Sequence, residues 1–223
     1  MQATRETDPN LPETPLGTPA WRIALFFPAQ GSWSESDYLN LSGGPLVEFD
    51  EGHLEVLDRP TKEHQRITQF IFVAIREFLL GQRIGEVFMA PLPMRLWTGK
   101  FREPDVLVVR HGRAEYQGSY PEAADLVVEV VSPGNENRRR DLEEKRLEYA
   151  KAKIPEYWII DPEQNVIVVL GLNGEVYEVL GEFGRGQTSS SFELPGFCVS
   201  VDACLDSSKG KPMRTASEAC LLP

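Results

Sequence analysis

Two carboxylates in this sequence sit inside runs that are otherwise written as buried strand. In EPDVLVV, alternation puts Asp105, Leu107 and Val109 on one face. In DLVVEVV it puts Val127, Glu129 and Val131 on one face and Leu126, Val128 and Val130 on the other. A buried carboxylate is costly unless something pairs with it. If the two strands are neighbours, Asp105 and Glu129 converge, and each raises the other's pKa unless a cation lies between them. A hard divalent ion, Mg²⁺ or Mn²⁺, is the simplest compensation, since it takes oxygen ligands and keeps waters of its own. Water activated in that way attacks a phosphodiester bound at the same place.

The stretch that follows, SPGNENRRRDLEEKRLEY, supplies the complementary charge. Asp141, Lys145 and Tyr149 are spaced i, i+4, i+8 and share one helix face. Lys145 is therefore expected to point at the sheet beside Glu129, with Arg139, Glu143 and Lys151 in solvent. A lysine so placed orients a water or stabilises charge developing on phosphorus. The plainer alternative for Glu129 is a structural ion pair with an arginine such as Arg138. His64 reads as a helix-start or groove residue rather than a ligand, and Asp141 as a helix-start acid favoured by the dipole. Tyr149, Tyr157 and Trp158 read as core aromatics, and Asp161 as the end of its strand.

These side chains need a mixed sheet and at least two helices to hold them. SWSESDYLNL reads as a short helix capped by Ser34 or Ser36, and PLVEFDEGHLEVL as a hairpin turning at Gly52. TKEHQRITQFIFVAIREFLLGQ carries apolar residues at Ile67, Phe70, Ile71, Ala74, Ile75, Phe78 and Leu79. That is helical spacing, with Thr61 as cap and Gly81 as stop. GEVFMAPLPMRLW and EPDVLVV read as strands before a polar loop from His111 to Pro121. DLVVEVV, the charged helix and EYWIID form a strand–helix–strand unit expected to be a right-handed parallel crossover. NVIVVLGLNGEVYEVL reads as a hairpin turning at Asn173-Gly174.

Residues 1–30 read as a disordered or extended lead, 31–206 as one domain and 207–223 as a flexible tail. Hydrophobic residues make up 41% and charged residues 26%, the proportions of an ordinary globular chain. No run is long and apolar enough to span a bilayer, and the start lacks the pattern of a secretory signal, so a cytoplasmic protein is expected. Cys198, Cys204 and Cys220 have no metal-like spacing and are expected to be reduced. The net charge of −11 argues against a generic nucleic-acid binder. Its distribution is uneven: residues 1–58 carry −8 and residues 154–206 carry −8, whereas residues 59–110 carry +4 and residues 138–153 carry +3. A polyanion would be met by the middle of the chain, with Arg138, Arg139 and Arg140 as the candidates for contacting it.

EPDVLVV, DLVVEVVSP, the Asp-x-x-x-Lys-x-x-x-Tyr spacing and IPEYWIIDP, in that order, resemble the Uma-type family of putative bacterial endonucleases. That family belongs to the PD-(D/E)XK restriction-endonuclease-like superfamily. The likeness extends to VEFDEGHLEV, to His64 and to LPGFCVSVDACL, and covers roughly residues 33–206. It implies an α/β fold: a restriction-endonuclease-like mixed β-sheet core flanked by helices, with N-terminal and C-terminal β-hairpins. It implies Asp105 and Glu129 as metal ligands, the main-chain carbonyl of Val130 as a further ligand, Lys145 as the catalytic lysine and Glu48 as an additional acidic member. The superfamily's lysine stands two residues after the glutamate, where this chain has Val131; in this family the following helix supplies it. The implied activity is Mg²⁺-dependent hydrolysis of phosphodiester bonds in nucleic acid, with DNA as the expected substrate and, by analogy with restriction-like folds, a homodimer as the expected assembly. The competing expectation is a catalytically silent nuclease fold that binds nucleic acid or a protein partner.

Overall fold

The computed structural model describes residues 27–41, 46–112 and 119–210. The expectations for residues 1–26 and 211–223, and for most of the loop between His111 and Pro121, lie outside the described residues. Of the lead, residues 27–30 are described, and the Gln30 side chain bonds both the N–H and the carbonyl of Leu54. At the other end, Arg66 donates to the Ser208 carbonyl at 2.9 Å.

Helix α1 (Glu35–Leu39) begins with a capping box between Ser34 and Asp37. Strands β1 (Val47–Asp50) and β2 (His53–Val56) form the expected hairpin. Gly52 is required in its turn: φ is +85°, and a Cβ there would lie 2.8 Å from the Gly31 carbonyl oxygen. Helix α2 (Lys62–Gln82) is capped by Thr61 as expected. It runs through Gly81 rather than stopping there; Arg83 takes the left-handed conformation that ends it.

GEVFMAPLPMRLW divides between two sheets, because its two prolines remove ladder donors between β3 (Gly85–Met89) and β4 (Met94–Trp97). Strand β5 (Lys100–Arg102), which the sequence reading lacked, follows it. Then come β6 (Val106–Arg110) and β7 (Leu126–Val130). The charged helix comprises α3 (Asn135–Arg139), a π-helical turn (Arg140–Glu144) and α4 (Lys145–Lys151). Strands β8 (Glu156–Asp161), β9 (Val166–Asn173) and β10 (Val176–Phe183) complete the main sheet. A small ladder of β11 (Thr188–Ser190) and β12 (Cys198–Ser200) leads into α5 (Val201–Ser207).

Among the described residues the main sheet has six strands in the order β10-β9-β8-β7-β6-β3, and a four-stranded sheet has the order β2-β1-β5-β4. Only β7 and β8 are parallel in the main sheet, the expected crossover; β6 runs antiparallel to β7. Strand alternation then divides the core. Val106, Val108, Leu126, Val128 and Trp158 pack under α2 and α5, whereas Leu107, Val127, Val131 and Tyr157 pack under α4. Burying two such faces is what closes a helix-flanked sheet. Cys198 is disulfide-bonded, which corrects the expectation of a reduced thiol there; Cys204 is free and buried.

Candidate active site

Antiparallel pairing of β6 with β7 sets Val106 opposite Val128, which brings Asp105 to the neighbourhood of Glu129 one residue further on. Asp105 Oδ2 accepts the main-chain N–H of Val130 at 2.8 Å, so the two strand ends are fastened by the acid itself. From the first turn of α2, His64 Nε2 reaches the same oxygen at 3.1 Å. Glu129 is 2% exposed. Its Oε1 lies 2.9 Å from Lys145 Nζ and accepts the Tyr149 hydroxyl at 2.6 Å. Lys145 also lies 3.0 Å from Asp141 Oδ1, four residues earlier. That approach lacks hydrogen-bond geometry and leaves Asp141 Oδ1 a buried oxygen without a donor. The helix therefore turns toward the sheet the face that spacing indicates, while Arg139, Glu143 and Lys151 are exposed.

Asp105, Glu129, Val130, Asp141 and Lys145 line one cleft, with His64, Glu103 and Arg140 on its walls. Its cavity volume of about 60 Å³ is several times what one water needs. Glu48 is not among the lining residues. It lies buried in β1, where Oε1 accepts the Glu103 N–H at 3.1 Å and Oε2 accepts from Arg102. Arg138 is held away from Glu129 by a two-bond pair with Asp161, at 2.6 and 3.1 Å. Arg139 is 60% exposed and pairs with Glu144; Arg140 pairs with Glu55 at 3.1 Å.

The charges are unevenly balanced. Burial pushes the Glu129 carboxyl up to about 7; Asp105 and Asp141 push the same way and Lys145 and Tyr149 oppose them. Burial likewise pushes Glu103 up to about 7, helped by Glu48, and Glu103 Oε2 is buried without a donor. Burial works against the charge on Lys145, yet Glu129, Asp141, Glu48 and Asp105 together hold its pKa above the ordinary lysine range. His64 is also raised: burial opposes its charge, but the hydrogen bond and charge of Asp105 prevail.

The profile of a family described as "Uma2: Putative restriction endonuclease" matches residues 33–202. The chain belongs to the Uma2 family. The crystal structure of a putative nuclease belonging to DUF820 from Anabaena variabilis superposes with a TM-score of 0.65 at 18% sequence identity, covering 79% of this chain and 99% of that one. That likeness is one of fold, and the restriction-endonuclease-like architecture is accordingly the architecture of this chain. No curated protein matches the sequence.

A hard-ion site is compatible with the donors present. They are carboxylate and carbonyl oxygens beside a space of about 60 Å³, and burial disfavours the Glu129 anion even with Lys145 beside it. Among the described residues no three His, Cys, Asp or Glu side chains form a metal cage. Sequence reading understated three residues. Asp141 lies within the helical run rather than at its start, His64 bonds a candidate ligand, and Tyr149 is both a core aromatic and a donor to Glu129. The i, i+4, i+8 spacing already carried the signal for two of them.

Proposed function

We propose that this Uma2 protein is a divalent-metal-dependent nuclease that hydrolyses phosphodiester bonds in DNA. The observation that carries the reading is the pairing of Lys145 Nζ with Glu129 Oε1 in a cleft that Asp105 also lines. In this reading Asp105, Glu129 and the Val130 carbonyl hold Mg²⁺. When bound, the ion supplies Lewis-acid activation of water and neutralises phosphate charge. Lys145 acts as a permanent cation rather than a base, because its carboxylate neighbours hold its proton; it stabilises charge developing on the phosphoryl oxygens. His64 orients Asp105 through Oδ2. Glu48 supports the cleft wall by accepting the main-chain N–H of Glu103, and Arg140 on the cleft wall meets the substrate backbone. Two such clefts in a homodimer would serve two strands of a duplex.

The test is incubation of the protein with plasmid DNA, linear DNA and RNA in Mg²⁺ or Mn²⁺. Metal-dependent DNA cleavage abolished by Glu129→Ala is expected; cleavage that survives the substitution overturns the assignment. One observation favours a second reading. Each carboxylate already has a protein cation, His64 on Asp105 and Lys145 on Glu129, as in a nuclease fold kept only for binding. Calorimetry separates the two: a folded protein that takes up no Mg²⁺ or Mn²⁺ at millimolar concentration supports the silent module.

A further inference from the structure

The π-helical turn changes which main-chain groups are satisfied within the helix. Lys145 N–H donates to the Arg140 carbonyl, five residues back, instead of to Asp141, four back. The Asp141 carbonyl instead accepts the hydroxyl of Tyr157, at 2.8 Å, from the floor of the sheet. Beside it, Tyr149 places its hydroxyl 2.6 Å from Glu129 Oε1, the same oxygen that Lys145 contacts. Among the described residues nothing donates to Glu129 Oε2. The two rings are in edge-on contact, with centroids 5.2 Å apart, and both side chains are fully buried.

We propose that Tyr149 and Tyr157 are positioning residues of the cleft: Tyr149 fixes the Glu129 carboxylate so that Oε2 stays available to a divalent cation, and Tyr157 holds the π turn that sets Lys145 over it. The inference rests on the metal-dependent reading and extends it to residues that touch neither ion nor substrate. In an α-helical register, each residue is turned about 100° from the last. A one-residue slip of the turn therefore swings Lys145 off Glu129. Tyr177 provides an internal control. It packs on the same stack, and its hydroxyl donates to the Ile154 carbonyl at 2.7 Å, away from the cleft.

The experiment compares Tyr149→Phe, Tyr157→Phe and Tyr177→Phe with wild type by calorimetric titration of Mn²⁺, by thermal melting and by steady-state cleavage. All three lose one buried hydrogen bond and are expected to melt a few degrees lower. Tyr149→Phe is expected to weaken Mn²⁺ binding about 10-fold or more, the usual size for loss of a group that orients a ligand. Tyr157→Phe is expected to lower kcat with metal affinity and KM little changed. Tyr177→Phe is expected to match wild type in both. Equal metal affinity and kcat in all four proteins overturns the inference alone, as does an equal loss in Tyr177→Phe. A folded wild type that binds no Mn²⁺ overturns the proposed function and this inference with it. Should Tyr149→Phe fail to fold, Tyr157→Phe against Tyr177→Phe still decides the role of the π turn.

Discussion

Two buried charge networks adjoin at the π turn and α4, and they are balanced differently. Glu148 accepts two hydrogen bonds from Arg102, at 2.7 and 2.9 Å, and forms an ion pair with Lys100 at 2.7 Å. Arg102 also reaches Glu48 and Glu55, and Lys100 reaches Asp50. Burial would push the Glu48 carboxyl up, but Lys145 and Arg102 prevail and hold it below the ordinary range. At the cleft the balance is poorer: burial pushes Glu129 and Glu103 up to about 7, in Glu129 despite Lys145 beside it, and Asp141 and Glu103 each keep a buried oxygen without a donor. A network saturated by its own protein holds the four-stranded sheet against α4. One left unsatisfied has room for something the protein does not contain, and such perturbed groups gather at functional sites.

Glu129→Gln breaks the unsatisfied network and has the largest expected effect. Cleavage should fall by about 10³-fold or more, on the scale of losing a principal electrostatic contact. The fold should survive, because the change removes an under-compensated buried charge. Its pH behaviour sharpens the contrast. An acid whose folded pKa is about 7, above its ordinary 4.5, keeps in the folded state a proton that the unfolded chain has lost. Stability therefore falls as pH rises from about 4.5 to about 7 and levels above that. Denaturant unfolding across this window should show a shallower fall in Glu129→Gln than in wild type, with the remainder coming from Glu103, Glu156 and, at its upper end, His64. A variant whose stability tracks wild type at every pH contradicts the assignment of strain to Glu129.

Arg102→Met tests the saturated network, and its effect should appear as stability. It strands Glu48, which is 1% exposed, and removes two bonds from Glu148. Breaking such a buried pair costs about 3–5 kcal/mol, measured as a shift in the urea midpoint. Because Glu48 is held low, its stabilising contribution is present above the ordinary carboxylate pKa and is lost as pH falls through the lowered value. The wild-type advantage over the variant should therefore shrink in acid, the reverse of the Glu129 case. If Arg102→Met instead keeps its midpoint and loses only cleavage, the division between the two networks is wrong.

The unsatisfied network was the more legible of the two from sequence. Asp105 and Glu129 stand out because period-two alternation assigns each a buried face, and Lys145 because i, i+4 spacing ties it to Asp141 and Tyr149. Those are local rules, and the strand pairing they need joins neighbouring elements of the chain. The saturated network joins β1, β5 and α4, residues 46 to 100 positions apart, and nothing local marks Arg102 or Glu148 as partners. Strand β5 escaped notice for the same reason: three residues carry no period, and pairing with β1 and β4 makes the strand. The π turn depends on a hydroxyl from β8, and the stop at Arg83 on a left-handed residue that is not glycine. Both are tertiary decisions that override local preference.

The smallest expected effects separate two arginines that a charge count treats alike. Arg138 and Arg140 are neighbours in the basic run, yet Arg138 is bonded twice to Asp161, whose side chain is 5% exposed. Arg140 lines the cleft with its Nε buried and without an acceptor, and meets a half-exposed Glu55. Arg138→Ala removes the cation from a buried acid, which keeps only the main-chain N–H groups of Glu163 and Gln164 as donors, and should cost about 1–3 kcal/mol of stability with no change in the salt dependence of DNA binding. Arg140→Ala should cost under about 1 kcal/mol, because its partner Glu55 is half exposed and can be solvated when the arginine is removed. It should lower the slope of log affinity against log salt by about one, the signature of a single lost phosphate contact. Fluorescence anisotropy at several salt concentrations measures the slope, and urea unfolding measures the stability. If the two substitutions exchange these outcomes, the cleft wall is held together by Arg140 and the substrate is met by the outer end of the helix instead.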